Sequence, residues 1–303
     1  MTKRIAIASG KGGTGKTTVA VNLAQVVGAP VQLLDCDVEE PNCALFLSPD
    51  IRETEQVSIP VPQVDESLCS ACGECGKLCQ FNAIVALGTT PIVFPELCHG
   101  CGGCFKVCPE RAIREVNRVI GVVEKGSVGE IDYAQGRLNV GEAMAPPLIS
   151  AVKRSIADEG VVLIDSPPGT SCPFIETVRG CDLVVLVTES TPFGLADLEL
   201  AVGAVREMQI PFGVVINRSG LGDDRVEEYC DREGISLLQR IPNDRRVAEA
   251  YSRGETIVES VPEFRPVFED LLRAITELQF EHSQQDGAKT SPDPNSAVRM
   301  VPR

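Results

Sequence analysis

Two short runs of cysteine constrain this chain more than any other feature. Eight of its thirteen cysteines lie between Cys69 and Cys108, and the spacing C-x2-C-x2-C-x3-C occurs twice, from Cys69 to Cys79 and from Cys98 to Cys108. A reducing compartment does not maintain a disulfide framework, and an odd number of cysteines would leave one unpaired. The regular spacing therefore indicates metal ligands rather than disulfides.

Both runs match the ligand spacing of bacterial ferredoxins, in which the fourth cysteine of each run ligates the cluster of the other run. Two [4Fe-4S] clusters are therefore predicted. Zinc is the alternative, because it also accepts four thiolates, although its sites usually pair two C-x-x-C knuckles. The first run departs from the pattern at Gln80, where the second has Pro109, but no ligand is lost. The predicted ligand sets are Cys69, Cys72, Cys75 and Cys108 for one cluster and Cys98, Cys101, Cys104 and Cys79 for the other.

The chain begins with the order strand, glycine-rich turn, helix, strand. Apolar residues 4–9 predict a first strand, apolar periodicity predicts a helix over about 16–27, and residues 31–35 predict a second strand. This order is typical of a parallel sheet. Continuous Val, Ile and Leu runs at 161–165, 183–187 and 212–216 predict further strands buried on both faces, with a helix at about 194–208.

The turn after the first strand fits the pattern G-x-x-x-x-G-K-[ST]. In such a loop, backbone N–H groups at a helix N-terminus surround phosphates, because the helix dipole favours anions there. We expect Lys16 to contact the β and γ phosphates and the Thr17 hydroxyl to hold Mg²⁺. The predicted nucleotide-binding residues of this loop are Gly10, Lys11, Gly12, Gly13, Thr14, Gly15, Lys16, Thr17 and Thr18.

Aspartates at two strand ends complete this predicted site. Asp165 ends an apolar strand, where the acid that supports Mg²⁺ stands in P-loop enzymes, and residues 166–169 behind it can move when the γ phosphate leaves. Asp35-Cys36-Asp37 ends the second strand beside the loop, and a carboxylate there can orient the attacking water. A strand-end capping role is the alternative for each aspartate considered alone.

With its additional early lysine, Lys11, the loop resembles the deviant Walker A box of the MinD/ParA/nitrogenase-iron-protein class of P-loop ATPases. The resemblance extends over most of the chain outside the cysteine runs. It implies that Lys11 reaches across an ATP-dependent homodimer to the partner's nucleotide. It also implies that Asp37 is the switch I aspartate, Asp165 the Walker B residue and Asn217 the residue that contacts adenine, with residues 241–244 near the base. Lys11, Lys16 and Asp37 are thus the predicted catalytic residues, and ATP is favoured over GTP.

The predicted architecture is an α/β P-loop NTPase with a mostly parallel sheet flanked by helices, interrupted by a small α+β ferredoxin domain. Pro60 and Pro62 are expected to end regular structure, because prolines remove backbone donors. The predicted domains are residues 1–60 and 120–280 for the ATPase and 61–119 for the insertion. Residues 281–303, rich in Ser, Pro, Asp and Gln, are predicted to be disordered.

This combination resembles MinD-superfamily ATPases with an inserted ferredoxin domain. It predicts an ATP-hydrolysing iron–sulfur protein, slow without its partner, that couples nucleotide-dependent dimerisation to electron transfer with a protein redox partner. The alternative is an ATPase that assembles or delivers metalloclusters, similar to the Mrp-type scaffolds. Those proteins carry a transferable cluster on a C-x-x-C pair, and this chain has no such pair outside the insertion.

Five cysteines remain outside the runs. Their predicted role is that of small buried apolar residues. Cys172 is the exception, because it lies seven residues after Asp165, a spacing that resembles one cluster ligand of the nitrogenase iron protein. The region around Glu142 offers no matching second thiol, so we do not expect a bridging cluster. The five are Cys36, Cys43, Cys172, Cys181 and Cys230.

Acidic residues outnumber basic ones by 43 to 28, for a net charge of −15. This surplus argues against DNA and anionic membranes as partners. The apolar face of a helix predicted at 267–280 is flanked mostly by acids, so we expect it to pack on the domain. No apolar run approaches the roughly 20 residues that span a bilayer. Lys3 and Arg4 are not followed by a signal-peptide pattern, so a cytoplasmic protein is expected.

Overall fold

A nine-stranded sheet forms the centre of the molecule. The computed structural model describes residues 2–28 and 30–289. Its strands are β1 (Lys3–Ala8), β2 (Val31–Asp35), β3 (Asp50–Val64), β4 (Ile84–Val85), β5 (Ile92–Val93), β6 (Ile113–Val128), β7 (Ile131–Leu138), β8 (Val161–Asp165), β9 (Leu183–Glu189), β10 (Phe212–Ser219) and β11 (Leu237–Pro242).

The helices flank this sheet or lie in the cysteine-rich stretch. Short 3₁₀ turns cover Pro95–Leu97 and Pro262–Phe264. The α-helices are α1 (Lys16–Ala24), α2 (Cys43–Leu47), α3 (Glu74–Leu78), α4 (Gly103–Val107), α5 (Ala145–Lys153), α6 (Cys172–Val178), α7 (Pro192–Glu207), α8 (Arg225–Glu233), α9 (Arg245–Ser252), α10 (Ile257–Ser260) and α11 (Arg265–Lys289).

The strand order is β11-β10-β9-β1-β8-β2-β7-β6-β3. Strands β11 to β7 pair in parallel, whereas β6 pairs antiparallel with both β7 and β3. The predicted α/β fold with a mostly parallel sheet and flanking helices is therefore confirmed. Parallel pairing brings the carboxyl ends of β1, β8 and β2 to one edge of the sheet, where the loops after them meet.

Apolar side chains fill both faces of the sheet. In β1, Ile5 and Ile7 point toward the layer that contains α1 and α11, whereas Ala6 and Ala8 point toward the layer that contains α5, α6 and α7. This alternation follows from the two-residue period of a strand. Burial on both faces explains why the central strands are continuous apolar runs.

Strands β3 and β6 form a long antiparallel ribbon at the edge of the sheet. They pair from Asp50 opposite Ser127 to Val64 opposite Ile113, so residues 65–112 leave the ribbon at its far end. The expectation that Pro60 and Pro62 end regular structure is wrong, because β3 continues through both. As an edge strand with one partner, β3 accepts prolines two residues apart, whose nitrogens face the unpaired side. Strands β3 and β6 are thus continuous across residues 60 and 120, the predicted boundaries between the ATPase domain and the insertion.

The two cysteine runs adopt the same local structure. Gly73 and Gly102, which follow the second cysteine of each run, have φ of +80° and +68°, and a five-residue helix begins immediately after each. Only glycine adopts this left-handed conformation without steric cost. Each helix ends at the fourth cysteine, Cys79 or Cys108, in extended backbone. The sequence repeat is therefore a structural repeat.

Helix α11 packs its apolar side against the sheet layer, as predicted. Phe268, Leu271, Ile275 and Leu278 are all buried. The helix continues to Lys289, into the segment 281–303 for which disorder is predicted. Residues 290–303 lie outside the described residues. Of the helices described, none is long and apolar enough to cross a membrane.

The substitution Phe268→Ala tests the packing of α11. We expect it to lower the free energy of unfolding by about 3–5 kcal/mol, because it leaves a cavity at a fully buried site. Glu269→Ala, at the exposed neighbouring position, is the control and should change stability little. Anaerobic urea unfolding followed by circular dichroism measures both. Equal midpoints for the two variants would show that α11 does not support the core.

Candidate functional site

The glycine-rich loop joins β1 to α1 at the carboxyl edge of the sheet. Gly13 and Gly15 have φ of +80° and +92°, the left-handed region that glycine tolerates. The loop is also tightly enclosed, because a Cβ on Gly15 would lie 2.2 Å from Asn217 Nδ2, and one on Gly10 would lie 2.0 Å from the carbonyl oxygen of Asp197. Both backbone conformation and close packing therefore require glycine in this loop.

A cleft of about 320 Å³ opens beside this loop. On its far side lie Pro242, Asn243 and Asp244, from the segment that the sequence indicated near the base, and Tyr251, which the sequence gave no reason to select. Gly10, Lys11, Thr14 and Asp165 are not among the residues that line the cleft. The predicted residues that do line it are Gly12, Gly13, Gly15, Lys16, Thr17, Thr18, Asp37 and Asn217.

Asn217, at the end of β10, holds the loop in place. Its Nδ2 donates a hydrogen bond of 2.8 Å to the carbonyl oxygen of Thr14, and its side chain is buried. The same residue lines the cleft. The structure thus assigns Asn217 a loop-supporting contact that the sequence did not indicate, whereas its contact with adenine stays a prediction.

Thr17 and Asp165 meet below the cleft. The Thr17 hydroxyl donates to Asp165 Oδ2 at 2.6 Å, whereas Asp165 Oδ1 is buried and has no hydrogen-bond partner among the described residues. A buried carboxylate oxygen without a partner is costly unless a cation or water satisfies it. Hydroxyl and carboxylate oxygens are ligands that Mg²⁺ prefers, so this pair fits the predicted magnesium site.

Asp35 and Cys43 lie against Asp165. One ligand atom from each of the three residues lies within 4.8 Å of the others. The Asp35 carboxylate accepts hydrogen bonds from the backbone N–H groups of Asp37, Asn42 and Cys43 at 3.0–3.1 Å. It therefore fixes the loop that carries Asp37. Sequence reasoning noted Asp35 only as a strand end, and the three backbone contacts could not be read from its position.

The acidic groups at this edge crowd one another. Burial, together with the negative charge of Asp165, raises the pKa of Asp35 to about 8. Burial and Asp165 also raise the pKa of Asp37 to about 7, although Lys16 opposes the shift. Burial likewise raises the pKa of Asp165, against the contacts from Thr17 and Lys16. A cation bound among these groups would relieve their repulsion and lower all three pKa values.

Lys11 points away from the cleft of its own chain. Its Nζ lies 3.9 Å from Asp197 Oδ2 on α7, and both side chains are partly exposed. An exposed ion pair of this length contributes little to stability. Lys11 is therefore available for other contacts, and its role across a dimer stays a prediction.

The eight cysteines of the two runs line two separate cavities, and each cavity receives the fourth cysteine of the other run. The first cavity is narrow, about 20 Å³, and the second is about 260 Å³. Cys72, in the first cavity, is exposed. The first cavity is lined by Cys69, Cys72, Cys75 and Cys108, and the second by Cys79, Cys98, Cys101 and Cys104.

Backbone N–H groups point at several of these sulfurs. Those of Ala71, Gly100 and Ala112 lie 3.4, 3.4 and 3.2 Å from the Sγ atoms of Cys69, Cys98 and Cys108. Such N–H contacts favour thiolates and help set the potentials of iron–sulfur clusters. The cavities therefore combine four cysteines each with donors aimed at sulfur, which fits cluster ligation.

The pKa values of two thiols in the second cavity differ. Burial raises the pKa of Cys79, but the backbone N–H groups of residues 81–84 outweigh burial, so its pKa lies below the usual value. Burial, followed by the nearby Cys98 and Cys101, raises the pKa of Cys104 to about 11. Bringing these thiolates together is unfavourable without a metal to neutralise them.

An aromatic pair stands beside the second cavity. The rings of Phe81 and His99 stack with centroids 3.6 Å apart and planes 9° from parallel, and both residues line the cavity. Each follows a cysteine of the cavity closely in the sequence, Cys79 or Cys98. The stack thus connects the two ligand loops and covers part of the cavity.

The remaining cysteines divide as the sequence indicated. The four expected to be buried are so, whereas Cys172 is exposed at the first turn of α6. Cys43 has an additional contact that sequence did not suggest, since its Sγ lies 3.5 Å from Asp165 Oδ2. The buried residues are Cys36, Cys43, Cys181 and Cys230.

Comparison with known proteins agrees with this geometry. An uncharacterized protein of Methanocaldococcus jannaschii is 34% identical over 228 residues, which cover 73% of this chain and 79% of that protein. The iron-sulfur cluster carrier protein of Pyrococcus abyssi is 24% identical over 305 residues, which cover 93% of this chain and 90% of that protein.

Solved structures share the fold. The cell division ATPase MinD of Pyrococcus furiosus matches with a TM-score of 0.57 and 21% identity, covering 92% of this chain and all of that chain. The MinD protein of Pyrococcus horikoshii, complexed with Mg-ADP, matches with a TM-score of 0.56 and 20% identity, covering 96% of this chain and all of that chain. Residues 5–257 match the CobQ/CobB/MinD/ParA nucleotide binding domain. The chain therefore belongs to the CobQ/CobB/MinD/ParA family of nucleotide-binding proteins.

Proposed function

We propose that this protein hydrolyses ATP in the cleft and uses the nucleotide to control electron transfer through two [4Fe-4S] clusters held in residues 65–112. The observation that carries this proposal is the crossed arrangement of the cysteines, in which each cavity combines three cysteines of one run with the fourth of the other. This arrangement is the ligand pattern of two-cluster ferredoxins. Membership of a family of nucleotide-binding proteins supports the proposed use of ATP in the cleft.

In the nucleotide cleft, the backbone of the glycine-rich loop and Lys16 bind the phosphates, and Thr17 with Asp165 holds Mg²⁺. A magnesium ion held by these two residues would neutralise charge on the transferred phosphoryl group. Asp37 orients the attacking water, and its position is fixed through the Asp35 carboxylate. The reaction consumes ATP and water and releases ADP and phosphate. Lys11 completes the site of the partner subunit in an ATP-bound homodimer.

In residues 65–112, the chain holds the clusters and partly shields them from water. Buried Cys75 and Cys98 and the Phe81–His99 stack limit solvent access to the cavities. Clusters held by these cysteines would each carry one electron between a low-potential protein donor and a protein acceptor. The acidic character of the chain favours partners with a basic docking face.

Nucleotide control requires that the two sites share a movable element. Residues 166–171 follow Asp165 and touch the nucleotide loop, because the N–H of Ser166 donates to the Ile7 carbonyl at 3.0 Å and that of Gly169 to the Ser9 carbonyl at 3.0 Å. A change in the phosphates that moves this segment also moves α6, which begins at Cys172. Nucleotide can act only through a difference in affinity for two such arrangements.

A second candidate function is delivery of an iron–sulfur cluster to another protein. It is favoured by relatives named iron-sulfur cluster carrier protein, which align over nearly their whole length at 24–25% identity in the Pyrococcus proteins. Delivery requires that a cluster leave its ligands. Four cysteines drawn from both runs, several with N–H donors, favour retention instead. Electron transfer is therefore the function that the geometry supports best.

Asp37→Asn tests the role of this residue in hydrolysis. We expect ATP hydrolysis to fall by at least about 100-fold, because an amide orients and activates water poorly, while ATP binding persists. Phosphate release and binding of a fluorescent ATP analogue measure the two effects. Glu39→Gln, an exposed acid in the same loop, is the control and should hydrolyse ATP normally. Full activity in Asp37→Asn would remove Asp37 from the mechanism.

Paired cysteine substitutions test the crossed ligand sets. Wild-type protein should contain about eight iron atoms per chain, and Cys108→Ser about four. Adding Cys69→Ser to Cys108→Ser removes a second ligand of the same cluster and should leave about four. Adding Cys98→Ser instead removes a ligand of the other cluster and should leave almost none.

The same two double variants distinguish crossed from uncrossed ligand sets. If each run supplied all four ligands of its own cluster, the iron contents of the two double variants would be reversed. If the sites bind zinc, metal analysis under anaerobic conditions would find zinc in place of iron. Cys172→Ala, at an exposed cysteine outside the runs, is the control and should keep all of the iron.

Nucleotide dependence of electron transfer tests the coupling. Protein reduced with dithionite and freed of excess reductant is mixed with oxidised cytochrome c in the presence of MgATP, MgADP or no nucleotide. We expect haem reduction to be several-fold faster with MgATP, because closure around the nucleotide changes how the clusters are exposed. The difference should vanish in Lys16→Ala. Equal rates under all conditions in the wild type would rule out coupling.

A further inference from the structure

We infer that the ion pair between Arg118 and Glu142 connects the second cysteine cavity to the nucleotide site and sets the reduction potential of the cluster held there. This inference rests on the proposed function, since it concerns how nucleotide and cluster communicate. It assigns a positioning role to two residues that belong neither to the glycine-rich loop nor to the cysteine runs.

The ion pair is well enclosed. Both terminal nitrogens of Arg118 donate to the Glu142 carboxylate, Nη2 at 3.1 Å, and the Glu142 side chain is only 3% exposed. Two parallel N–H···O bonds fix the orientation of both groups. Arg118 Nε is buried and has no hydrogen-bond partner within the described part of the chain. The guanidinium is therefore held in one place with one donor still unused.

Arg118 does not line the second cavity but lies on β6 near the loop that carries Cys98, whereas Glu115 of the same strand lines the cavity. Arg118 lies opposite Ile59 across the β3–β6 ribbon. The loop that carries Cys98 packs against Ile59, because a Cβ on Gly100 would lie 3.6 Å from Ile59 Cβ. The pKa of Arg118 is raised mainly by its hydrogen bonds to Glu142, with smaller contributions from Glu96 and the Cys98 thiolate. A fixed positive charge near Cys98 favours the added electron, whereas the Glu142 carboxylate opposes this effect.

Glu142 belongs to a turn that is attached firmly to the ribbon. Asn139 makes two contacts to β6, from its backbone N–H to the Ile120 carbonyl at 2.9 Å and from Nδ2 to the Val119 carbonyl at 3.1 Å. The N–H of Glu142 donates to the Asn139 carbonyl at 3.1 Å. Helix α5 starts three residues later, and its Leu148 is fully buried. The turn thus joins the ribbon to α5.

Helix α5 is in turn fixed to α6. The Lys153 ammonium donates to the carbonyl oxygens of Glu176, Thr177 and Arg179 at 2.6–2.8 Å. These are carbonyls at the C-terminal end of α6, where a cation also interacts favourably with the helix dipole. The Ser150 hydroxyl donates to the Glu176 carboxylate.

The contacts therefore form a continuous connection. It runs from the segment after Asp165 through α6 and α5 to Glu142, Arg118 and the Cys98 loop. A shift of α6 on nucleotide binding would change how Glu142 offsets the charge of Arg118. Perturbing one contact of this connection tests whether the two sites are coupled.

Reductive titrations of the wild type, Glu142→Gln and Glu55→Gln test this inference. Dithionite supplies one electron to each cluster, reducing it from 2+ to 1+, and electron paramagnetic resonance records both potentials with MgADP and with MgATP. Glu142→Gln removes the opposing charge, so we expect a less negative potential for one cluster and loss of its nucleotide dependence. Glu55→Gln, an exposed carboxylate on the same ribbon, should behave as wild type.

Each outcome is informative. A nucleotide-dependent potential in wild type that persists unchanged in Glu142→Gln overturns this inference and leaves the proposed function standing. Absence of any nucleotide effect on either potential or electron-transfer rate in wild type overturns the proposed function, and the inference with it. Iron content and circular dichroism establish that each variant is folded. If Glu142→Gln loses iron, Arg118→Lys, which keeps the charge but loses the paired hydrogen bonds, carries the test with the same expected loss of nucleotide dependence.

Discussion

The hydrogen bond from Thr17 to Asp165 is the contact on which the site depends. It joins the glycine-rich loop to β8, and it exists because β1 and β8 are parallel neighbours with Ile7 opposite Asp165. The next strand, β2, places Asp35 opposite Asp165 from the other side. The ends of β2 and β8 therefore concentrate acidic groups at one place, and their repulsion is offset in part by Lys16 and would be offset further by a bound cation.

The edge ribbon explains how the cysteine-rich segment is added without disturbing this arrangement. Residues 65–112 connect the end of β3 to the start of β6, at the edge of the sheet opposite to β11. Edge strands tolerate prolines and long extensions, because only one side of each must be paired. The Arg118–Glu142 contact then gives the extension a fixed relation to α5. Rigid attachment is what a cluster needs if its environment is to follow the nucleotide.

Sequence reasoning worked where the determinants are local. The glycine-rich loop and the cysteine spacing are local patterns, so the βαβ start and the repetition of the two cysteine runs could be predicted, whereas the helices after Gly73 and Gly102 were not. Sequence reasoning failed where contacts between distant parts of the chain determine the local structure. Whether Pro60 interrupts a strand depends on that strand being at an edge. The contacts of Asp35 and Arg118 join residues whose proximity only the fold creates.

Electron transfer by this protein requires that the proposed clusters stay in place while electrons move. Protein labelled with ⁵⁷Fe is incubated anaerobically with MgATP and an apo-ferredoxin that can accept a [4Fe-4S] cluster, and the two proteins are separated and assayed for ⁵⁷Fe. Retention of the label on this chain is the predicted result, because four cysteines drawn from both runs line each cavity that is proposed to hold a cluster. Transfer of the label to the apo-ferredoxin would contradict the account and establish cluster delivery instead.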